Sequence, residues 1–424
     1  MRASTWIAVL IWLLSLVAAL LGKRDLFYNT FYLVTLVLLG SWLWTRLNLR
    51  NLEILRRVRT PRSQVGRFVE ETLTVSNKSK LPKLWVEVYD ESDLPGHRAS
   101  RVLVALKGKE SRDWVVRTPS LRRGEYHLGP IELRSSDPLG IFELRRKIPG
   151  SSRVIIYPPA FDIPGFRLPP GRLPGGKIAR HRTHYLTANV ATVRDYAPGD
   201  SFNRIHWPST ARTGRLIVKE FELDPTSDVW IMLDLDATWH TGHTWQPVPA
   251  QTPVRPSSPY HSYEPALAPA TIEYATAAAA SIAQRYLSER RAVGLLAYAP
   301  GRQIIQLERG HRQFTKILET LAVVDPVDSI SFQRVLAAEK HFLDRNVTVV
   351  AITPAADSAW VAALREYQRA GISVTAVLIA ASTFGTMPSY RPILAELWAS
   401  QIPVYVLRRG ESLTSALSQI APPE

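Results

Sequence analysis

The stretch Val229–His240, VWIMLDLDATWH, decides how the second half of the chain is organised. Here an apolar run ends in two carboxylates and a hydroxyl at alternate positions, those of Asp234, Asp236 and Thr238. An apolar run of this length with polar residues after it indicates a buried strand. Open α/β sheets bind small molecules and ions at the carboxyl ends of their strands. These three side chains are therefore candidate binding residues.

Further strand-like runs alternate with helix-period segments as far as the C-terminus. The predicted strands are Val229–Leu235, Val293–Ala299, Gln303–Leu307, Val347–Ile352, Ile372–Ile379 and Pro403–Leu407. The predicted helices are Thr271–Glu289, Arg312–Ala322, Phe332–Phe342, Asp357–Ala370, Pro392–Ala399 and Ser412–Ile420. This alternation indicates a Rossmann-like α/β domain over residues 225–424, with a mainly parallel sheet covered on both faces. The short connection Tyr298–Arg302 predicts one antiparallel hairpin within it.

A long motif directly precedes the first of these strands. It reads R-x-Y-x-P-G-D from Arg194, then R-I-x-W from Arg204, then A-R-x-G-x-L-x-V-K-x-F-E from Ala211 to Glu222. This pattern resembles the bacterial and archaeal DUF 58 family, a domain of unknown function, and the resemblance implies a von Willebrand factor A-like fold. Two positions depart from the family pattern, because His206 stands where an acidic residue is usual and Pro208 where lysine is common.

The same motif has a physical interpretation of its own. Pro198–Asp200 predicts a turn, because proline presets φ and glycine accepts a positive φ. The charged residues could form a salt-bridge lattice or a docking face for an acidic partner; they are Arg194, Arg204, Arg212, Arg215, Asp195, Asp200 and Glu222. The alternative is an arm that packs on its own domain, since runs of charge usually form solvated faces.

Two apolar runs begin the chain, Ala3–Gly22 and Leu26–Thr45, separated by a short charged turn. About 20 apolar residues cross a bilayer as a helix, so residues 1–46 predict a transmembrane hairpin. Tryptophans lie near the ends of both runs, and arginines follow the second run; by the positive-inside rule, both termini are cytoplasmic. For the first run, a cleaved signal peptide is the alternative.

Residues 47–160 contain short runs in which apolar and polar residues alternate. Examples are Glu71–Val75, Leu84–Tyr89, Asp113–Arg117 and Ile131–Arg134, and proline or glycine separates them. This pattern predicts an antiparallel β-sandwich. Residues 161–224 are then assigned to a linker rich in proline and glycine together with the motif arm.

Composition narrows the classes of partner and site. The chain has no cysteine, which excludes thiolate zinc sites and cysteine nucleophiles and leaves oxygen and imidazole ligands for hard cations. The formal charge of +15 is concentrated in the first half, beside the predicted membrane spans. Anionic membrane lipid is therefore the expected partner of the basic residues, and no nucleic acid is expected.

The family resemblance implies a metal-ion-dependent adhesion site at the end of the first strand, of the form D-x-S-x-S. Asp234, Asp236 and Thr238 occupy these positions, with a carboxylate in place of the central hydroxyl, and we expect them to bind Mg²⁺ or Ca²⁺. Where the fold usually has an acidic residue after its fourth strand, this chain has Thr353-Pro354-Ala355. Asp357 is expected to cap the next helix, and Ser329 and Ser331 are loose candidates for a second-loop hydroxyl.

Two other hypotheses fit the same three residues, Asp234, Asp236 and Thr238. D-x-D-x-T also resembles the haloacid dehalogenase-like phosphatases, in which Asp234 would be a nucleophile, Asp236 an acid and base, and Thr353 a phosphate ligand. No lysine follows Thr353 to offset phosphoryl charge, so this is the weaker hypothesis. A degenerate strand end that binds nothing is the third.

An insert rich in proline, serine and threonine spans residues 239–270 and predicts a flexible lid or tether. Its histidines, His240, His243 and His261, are too loosely spaced to favour a zinc site.

These observations together predict a cell-membrane protein with two spans and a cytoplasmic body, without catalytic or cofactor-binding residues. Its von Willebrand factor A-like domain is expected to act as an adaptor or scaffold for protein partners. The family resemblance adds a MoxR-type AAA ATPase as the expected partner. A magnesium-dependent phosphohydrolase remains the alternative.

Overall fold

The computed structural model describes residues 3–22, 25–169, 190–197, 202, 205–221, 228–242, 267–299, 301–327, 330–343 and 347–422. These residues fall into two compact units. The first contains the residues up to 159 together with 318–323, and the second contains most of the remainder. The predicted domain boundaries at 46, 160 and 224 stay predictions.

The chain begins with two apolar helices, α1 (Ala3–Gly22) and α2 (Asp25–Leu49), which pack against each other. Both are long and apolar enough to cross a bilayer, by length and composition. Between them, the indole Nε1 of Trp12 donates a hydrogen bond to Thr35 Oγ1 at 2.9 Å. Thr35 Oγ1 also donates to the carbonyl of Phe31 at 2.7 Å, so this hydroxyl connects the two helices.

Ten strands follow in the first unit. They are β1 (Leu52–Val58), β2 (Arg62–Gln64), β3 (Phe68–Asn77), β4 (Lys83–Asp90), β5 (Arg101–Leu106), β6 (Ser111–Pro119), β7 (Gly124–Leu128), β8 (Ile131–Ser136), β9 (Glu143–Ile148) and β10 (Ser152–Tyr157). Two antiparallel sheets have the orders β1-β3-β6 and β5-β4-β8-β9. A third, small sheet has the order β2-β10-β7, in which β10 pairs parallel with β2.

The two antiparallel sheets share one apolar core. Leu73 and Val75 of β3 and Trp114 of β6 belong to the same buried cluster as Val86 and Leu133 of the other sheet. Every second residue of β3 is buried, which is the period-2 pattern of a strand with one face on a core. The predicted antiparallel sheets of the middle segment are therefore confirmed.

The second unit contains a small two-stranded sheet and one large sheet. The small sheet pairs β11 (Val190–Asp195) with β12 (Ile217–Phe221), and α3 (Trp207–Thr213) lies between them in sequence. The large sheet contains β13 (Asp228–Leu233), β14 (Val293–Ala299), β15 (Gly301–Glu308), β16 (Val347–Thr353), β17 (Ser373–Ile379) and β18 (Val404–Leu407). The helices along this part of the chain are α4 (Thr271–Ser288), α5 (His311–Val323), α6 (Phe332–Glu339), α7 (Ala359–Arg369), α8 (Arg391–Ala399) and α9 (Leu413–Ala416). The last six residues of α5 belong to the first unit.

The large sheet has the order β15-β14-β13-β16-β17-β18, and all its neighbours are parallel except β14 and β15. The predicted mainly parallel α/β sheet and its single antiparallel hairpin are both confirmed. Because β13 and β16 are parallel neighbours at the centre, their carboxyl ends lie at the same edge of the sheet. This geometry brings the loop after Leu233 beside the loop after Ile352.

Helices cover both faces of this sheet. Trp230 and Met232 of β13 share a buried cluster with residues of α6, α7 and α8. The alternate residues, such as Ile231, are also buried, and α4 packs on β13 and β16. Strands buried on both faces explain the continuous apolar runs in the sequence.

The described part of the predicted linker packs within the second unit. Phe161, Ile163 and Phe166 are buried, and the Phe166 ring lies 4.6 Å from the ring of Tyr405, centroid to centroid. Tyr405 Oη also hydrogen-bonds the backbone of Arg167. These residues therefore extend the core of the second unit, although their proline and glycine content indicated a linker. Residues 170–189 lie outside the described part.

Candidate functional site

Asp234 lies at the carboxyl end of β13 and is only 2% exposed. Its backbone N–H donates to the carbonyl of Ile352 at 2.9 Å, which continues the pairing of β13 with β16 one residue past the strand. Leu235, the next residue, is also buried. The sequence thus places a carboxylate inside the apolar edge of the sheet, where a charge is costly without a compensating partner.

Two hydrogen-bond donors reach the Asp234 carboxylate. The hydroxyl of Thr353, at the end of β16, donates to Oδ2 at 2.5 Å. The backbone N–H of Asp236 donates to Oδ1 at 3.0 Å. Thr353 Oγ1 in turn accepts the backbone N–H of Ala355 at 2.9 Å, which fixes the hydroxyl in place. Both donors are neutral, so the carboxylate is hydrogen-bonded without being neutralised.

The pKa of Asp234 is raised from its usual value of 3.8 to about 7. Burial is the main cause, and the nearby carboxylates of Asp236 and Asp357 raise the pKa further. The hydrogen bonds from Thr353 and from the Asp236 amide oppose this shift. Burial followed by the charge of Asp236 also raises the pKa of Asp357. The charge of Asp236 therefore acts on both Asp234 and Asp357 at this edge of the sheet.

Asp236 and Thr238 form the turn that follows. Asp236 is half-buried and Thr238 is exposed. Asp236 Oδ1 accepts the backbone N–H of Thr238 at 3.0 Å, and its carbonyl accepts the N–H of Trp239 at 3.1 Å. The structure thus joins the three predicted ligands in one hydrogen-bonded loop, in which Asp234 is the inner residue and Thr238 the outer one.

His240 supports this loop. Its Nε2 lies 3.0 Å from the backbone oxygen of Asp234, and since a carbonyl only accepts, Nε2 must donate. Its Nδ1 lies 3.0 Å from Thr271 Oγ1, at the first residue of α4. The ring therefore connects the strand end to the helix. His243 and His261, the other two histidines of the insert, lie outside the described residues.

Asp357 lies in the loop before α7. Its carboxylate accepts the backbone N–H of Ala359, the first residue of that helix, and Ser358 occupies the N-cap position between them. The sequence did not predict the hydrogen bond from the Thr353 hydroxyl to Asp234. The pattern indicated Thr353 only as a phosphate ligand of a phosphatase. Its position at the end of β16 was the available signal. Ser331 precedes α6 and makes no side-chain cap bond, and Ser329 lies outside the described part.

The oxygen donors fit a hard cation better than a soft one. Within the described ranges, no three His, Asp or Glu side chains form a ready metal cluster, so a cation would need the hydroxyls as well. The residues that would hold it are Asp234, Asp236 and Thr238. No ion pair involving Asp234 occurs among the residues that the structure describes. A bound cation would supply the missing positive charge and lower the pKa of Asp234.

Comparisons with known proteins agree with the motif. Residues 192–247 match the family model described as "Protein of unknown function DUF58". The uncharacterized protein YeaD of Bacillus subtilis (strain 168) is 23% identical over 293 residues, which is 67% of this chain and 65% of YeaD. The chain thus spans slightly less than two thirds of the length of this curated relative.

Matches to solved structures are weak. A CARDB domain of the PF1109 protein of Pyrococcus furiosus, crystallised with two metal ions, matches at 13% identity and a TM-score of 0.20, over 25% of this chain and 91% of that one. A FixG-related protein of Vibrio parahaemolyticus matches at 12% identity and a TM-score of 0.17, over 26% and 98%. TM-scores this far below 0.5 provide no argument about function.

Proposed function

The chain contains a DUF58 family domain and is a distant homologue of YeaD, and from this premise we propose that it is a membrane-anchored adaptor. The α/β unit binds protein partners through a divalent cation held by Asp234, Asp236 and Thr238. The cation is Mg²⁺ or Ca²⁺, and an acidic group of the partner completes its coordination. The chain itself catalyses no reaction.

The observation that supports this proposal is a buried carboxylate with neutral partners only. Asp234 is 2% exposed and accepts hydrogen bonds from a hydroxyl and an amide. A buried ionised carboxylate needs a counter-charge, and without one its pKa rises and it binds a proton. A metal ion would supply the counter-charge and displace that proton. A cation beside Asp234 would also offset the repulsion among the three neighbouring carboxylates. Both effects favour a hard divalent ion.

The residues after β16 argue against the phosphohydrolase alternative, in which Asp234 would attack a substrate phosphorus. Phosphoryl transfer also needs a cationic side chain for the transferring oxygens. The chain contains no lysine after Thr353, and Thr353 itself donates its hydroxyl to Asp234.

The partner class and location belong to the same proposal. The family resemblance supports a MoxR-type AAA ATPase as the partner, and the two apolar helices support a cell-membrane anchor with the body in the cytoplasm. A reporter fused after Glu424 tests the orientation. It should be active only in its cytoplasmic form, and an active periplasmic reporter would contradict the proposed topology.

The binding function is tested with the full chain in lipid nanodiscs and the purified ATPase. We expect binding in Mg²⁺ that is lost in chelator, and we expect Asp234→Asn to weaken it by on the order of tenfold or more. Glu366→Gln, which removes an exposed carboxylate of α7, is the matched control and should bind normally. Equal binding with and without the cation would contradict the metal-dependent adaptor.

A parallel assay on generic phosphate esters separates the two functions. The adaptor hypothesis predicts no turnover above background with Mg²⁺ present. Turnover that Asp234→Asn abolishes and Glu366→Gln leaves unchanged would establish the phosphohydrolase and overturn the adaptor.

A further inference from the structure

The loop between β8 and β9, Asp137–Phe142, is rigid and projects an apolar tip. Asp137 is 3% exposed, and its carboxylate accepts the backbone N–H groups of Leu139 and Phe142 at 3.0 and 2.6 Å. Its backbone oxygen accepts the N–H of Gly140 at 3.0 Å. Leu139, at the tip, is nevertheless 63% exposed. The hydrogen bonds to Asp137 hold this loop in one conformation and keep the Leu139 side chain exposed at its tip.

The same loop contacts the beginning of α1. Ser4 Oγ donates to the carbonyl of Gly140 at 2.8 Å, and Thr5 Oγ1 donates to the carbonyl of Ile141 at 2.5 Å. An α-helix of 20 residues is about 30 Å long, which is about the thickness of the hydrocarbon core, so the first turn of α1 lies at a bilayer surface when the helix spans it. Leu139 therefore lies at the level of the membrane interface.

Neighbouring residues have the character of a membrane interface. Trp6 is 63% exposed on α1, and Trp42 near the end of α2 stacks under the guanidinium of Arg46 at 4.5 Å. Arg50 is exposed just beyond α2. Aromatic rings favour the headgroup layer, and arginines near it attract anionic lipid. Beyond this level α2 enters the protein, because Asn48 is buried and its amide donates to the carbonyl of Trp85 at 2.8 Å.

We propose that the Asp137–Phe142 loop is a second membrane contact, in which Leu139 inserts into the boundary between headgroups and acyl chains of the bilayer that α1 and α2 span. This rests on the membrane anchoring of the proposed function. The loop gives the β-strand module a second point of contact with the bilayer beside α2. Leu139 projects from the same loop whose Gly140 and Ile141 carbonyls accept hydrogen bonds from Ser4 and Thr5 of α1.

The absence of native cysteine allows single thiols to report each position. We choose Leu139→Cys for the loop, Leu13→Cys for the middle of α1, and Phe68→Cys as a matched control. Phe68 is 46% exposed and begins β3, whose far end Asn77 pairs with Leu52 just after α2. From Asn77 back to Phe68 the strand extends by nine steps, or roughly 30 Å, so Phe68 lies well away from the membrane.

The full-length variants are placed in nanodiscs of phosphatidylcholine and phosphatidylglycerol and treated with a membrane-impermeant maleimide. We expect Leu139→Cys to react on the order of tenfold more slowly than Phe68→Cys, although its side chain is the more exposed of the two in the protein. If Leu13→Cys is protected but Leu139→Cys reacts as fast as Phe68→Cys, the loop does not contact the bilayer. The transmembrane anchor would still be supported by that result. Fast reaction at 13 would refute the anchor itself, and the loop contact with it.

Discussion

Two buried carboxylates, one in each unit, are stabilised in opposite ways. The side chain of Asp90 is 2% exposed and contacts Arg56 and His97, whose Nε2 lies 3.1 Å from Asp90 Oδ2. Asp234 is buried as a whole residue but has only neutral donors. Burial would raise the pKa of Asp90, yet hydrogen bonds from His97, Ser92 and Arg56 outweigh it and lower the pKa to about 2. The pKa of Asp234 is raised to about 7.

The difference lies in where the positive charge comes from. In the first unit, Arg56 Nε also contacts Glu71 Oε2 at 3.1 Å, so two acids and two bases form a self-neutralising group, the Arg56 cluster of Arg56, Glu71, Asp90 and His97. At Asp234 the corresponding cation is not part of the described chain. A structural site contains its own counter-charge, whereas a binding site takes it from a ligand. This contrast supports the proposal of a cation in the second unit.

The largest expected effect comes from breaking the Arg56 cluster. Arg56→Met leaves Glu71 and Asp90 buried with only His97 to balance them, and we expect it to lower the free energy of unfolding by about 3–5 kcal/mol. Arg59→Met is the control, because Arg59 is 62% exposed in its pair with Glu70 and should cost under about 1 kcal/mol. Chemical denaturation of the detergent-solubilised chain measures both. If Arg56→Met and Arg59→Met lowered the free energy of unfolding equally, the Arg56 cluster would not be the charge-neutralising group that the contrast with Asp234 requires.

Asp234 should behave in the opposite way when its charge is removed. Its folded pKa of about 7 exceeds the usual 3.8, so the native state binds the extra proton, and stability falls as pH rises from about 4 to about 7. In chelator at pH 8, Asp234→Asn is therefore expected to raise the free energy of unfolding by on the order of 2–4 kcal/mol. Denaturation curves across this pH range should slope for the wild type and be flatter for the variant. Destabilisation by Asp234→Asn in chelator would show that the carboxylate is already compensated.

The next largest effect is a loss of stability at alkaline pH, which we expect from deprotonation of His97. Burial would lower its pKa, but hydrogen bonds to Asp90 and Glu71 and the charges of both carboxylates raise it from 6.5 to about 9. The stability that the imidazolium contributes is present below pH 6.5 and is lost as pH rises through about 9, roughly 2–3 kcal/mol in all. Denaturation between pH 6 and pH 10 measures this loss. His97→Gln should abolish the alkaline slope, and a slope that persists would assign it to another group.

The smallest effect is expected from Thr353→Val, which removes the hydroxyl that Asp234 accepts. Since that hydrogen bond lowers the pKa of Asp234, the variant should titrate at higher pH than the wild type, and stability at pH 8 should fall by about 1–2 kcal/mol. Thr348→Val, a buried threonine elsewhere on β16, is a matched control for volume. An unchanged titration midpoint would show that the hydroxyl does not act on Asp234.

Much of the fold could be predicted from local pattern. The runs of β13 and β16 are buried on both faces, so their apolar residues are continuous and their type is unambiguous. The predicted helix Ser412–Ile420 is shorter in the structure and ends at Ala416, because only Leu413, Ala416 and Leu417 reach the core. The parallel pairing of β10 with β2 depends on contacts distant in sequence, and no local signal shows it.

The site was less predictable than the fold. The spacing of Asp234, Asp236 and Thr238 indicated candidate ligands, and the structure places them in one loop. Nothing in the sequence distinguishes the inner from the outer carboxylate, since burial depends on how β16 lies beside β13. The same strand pairing brings the Thr353 hydroxyl to Asp234 across more than a hundred residues. The Arg56 cluster likewise joins four strand and loop segments whose charges look scattered in sequence.

The proposed binding of a divalent cation by Asp234 is tested most directly by thermal denaturation of the full chain at pH 8 over a series of Mg²⁺ concentrations. We expect Mg²⁺ to raise the melting temperature of the wild type and of Glu366→Gln, and to leave that of Asp234→Asn unchanged. A wild type whose melting temperature is the same in Mg²⁺, in Ca²⁺ and in chelator would contradict it.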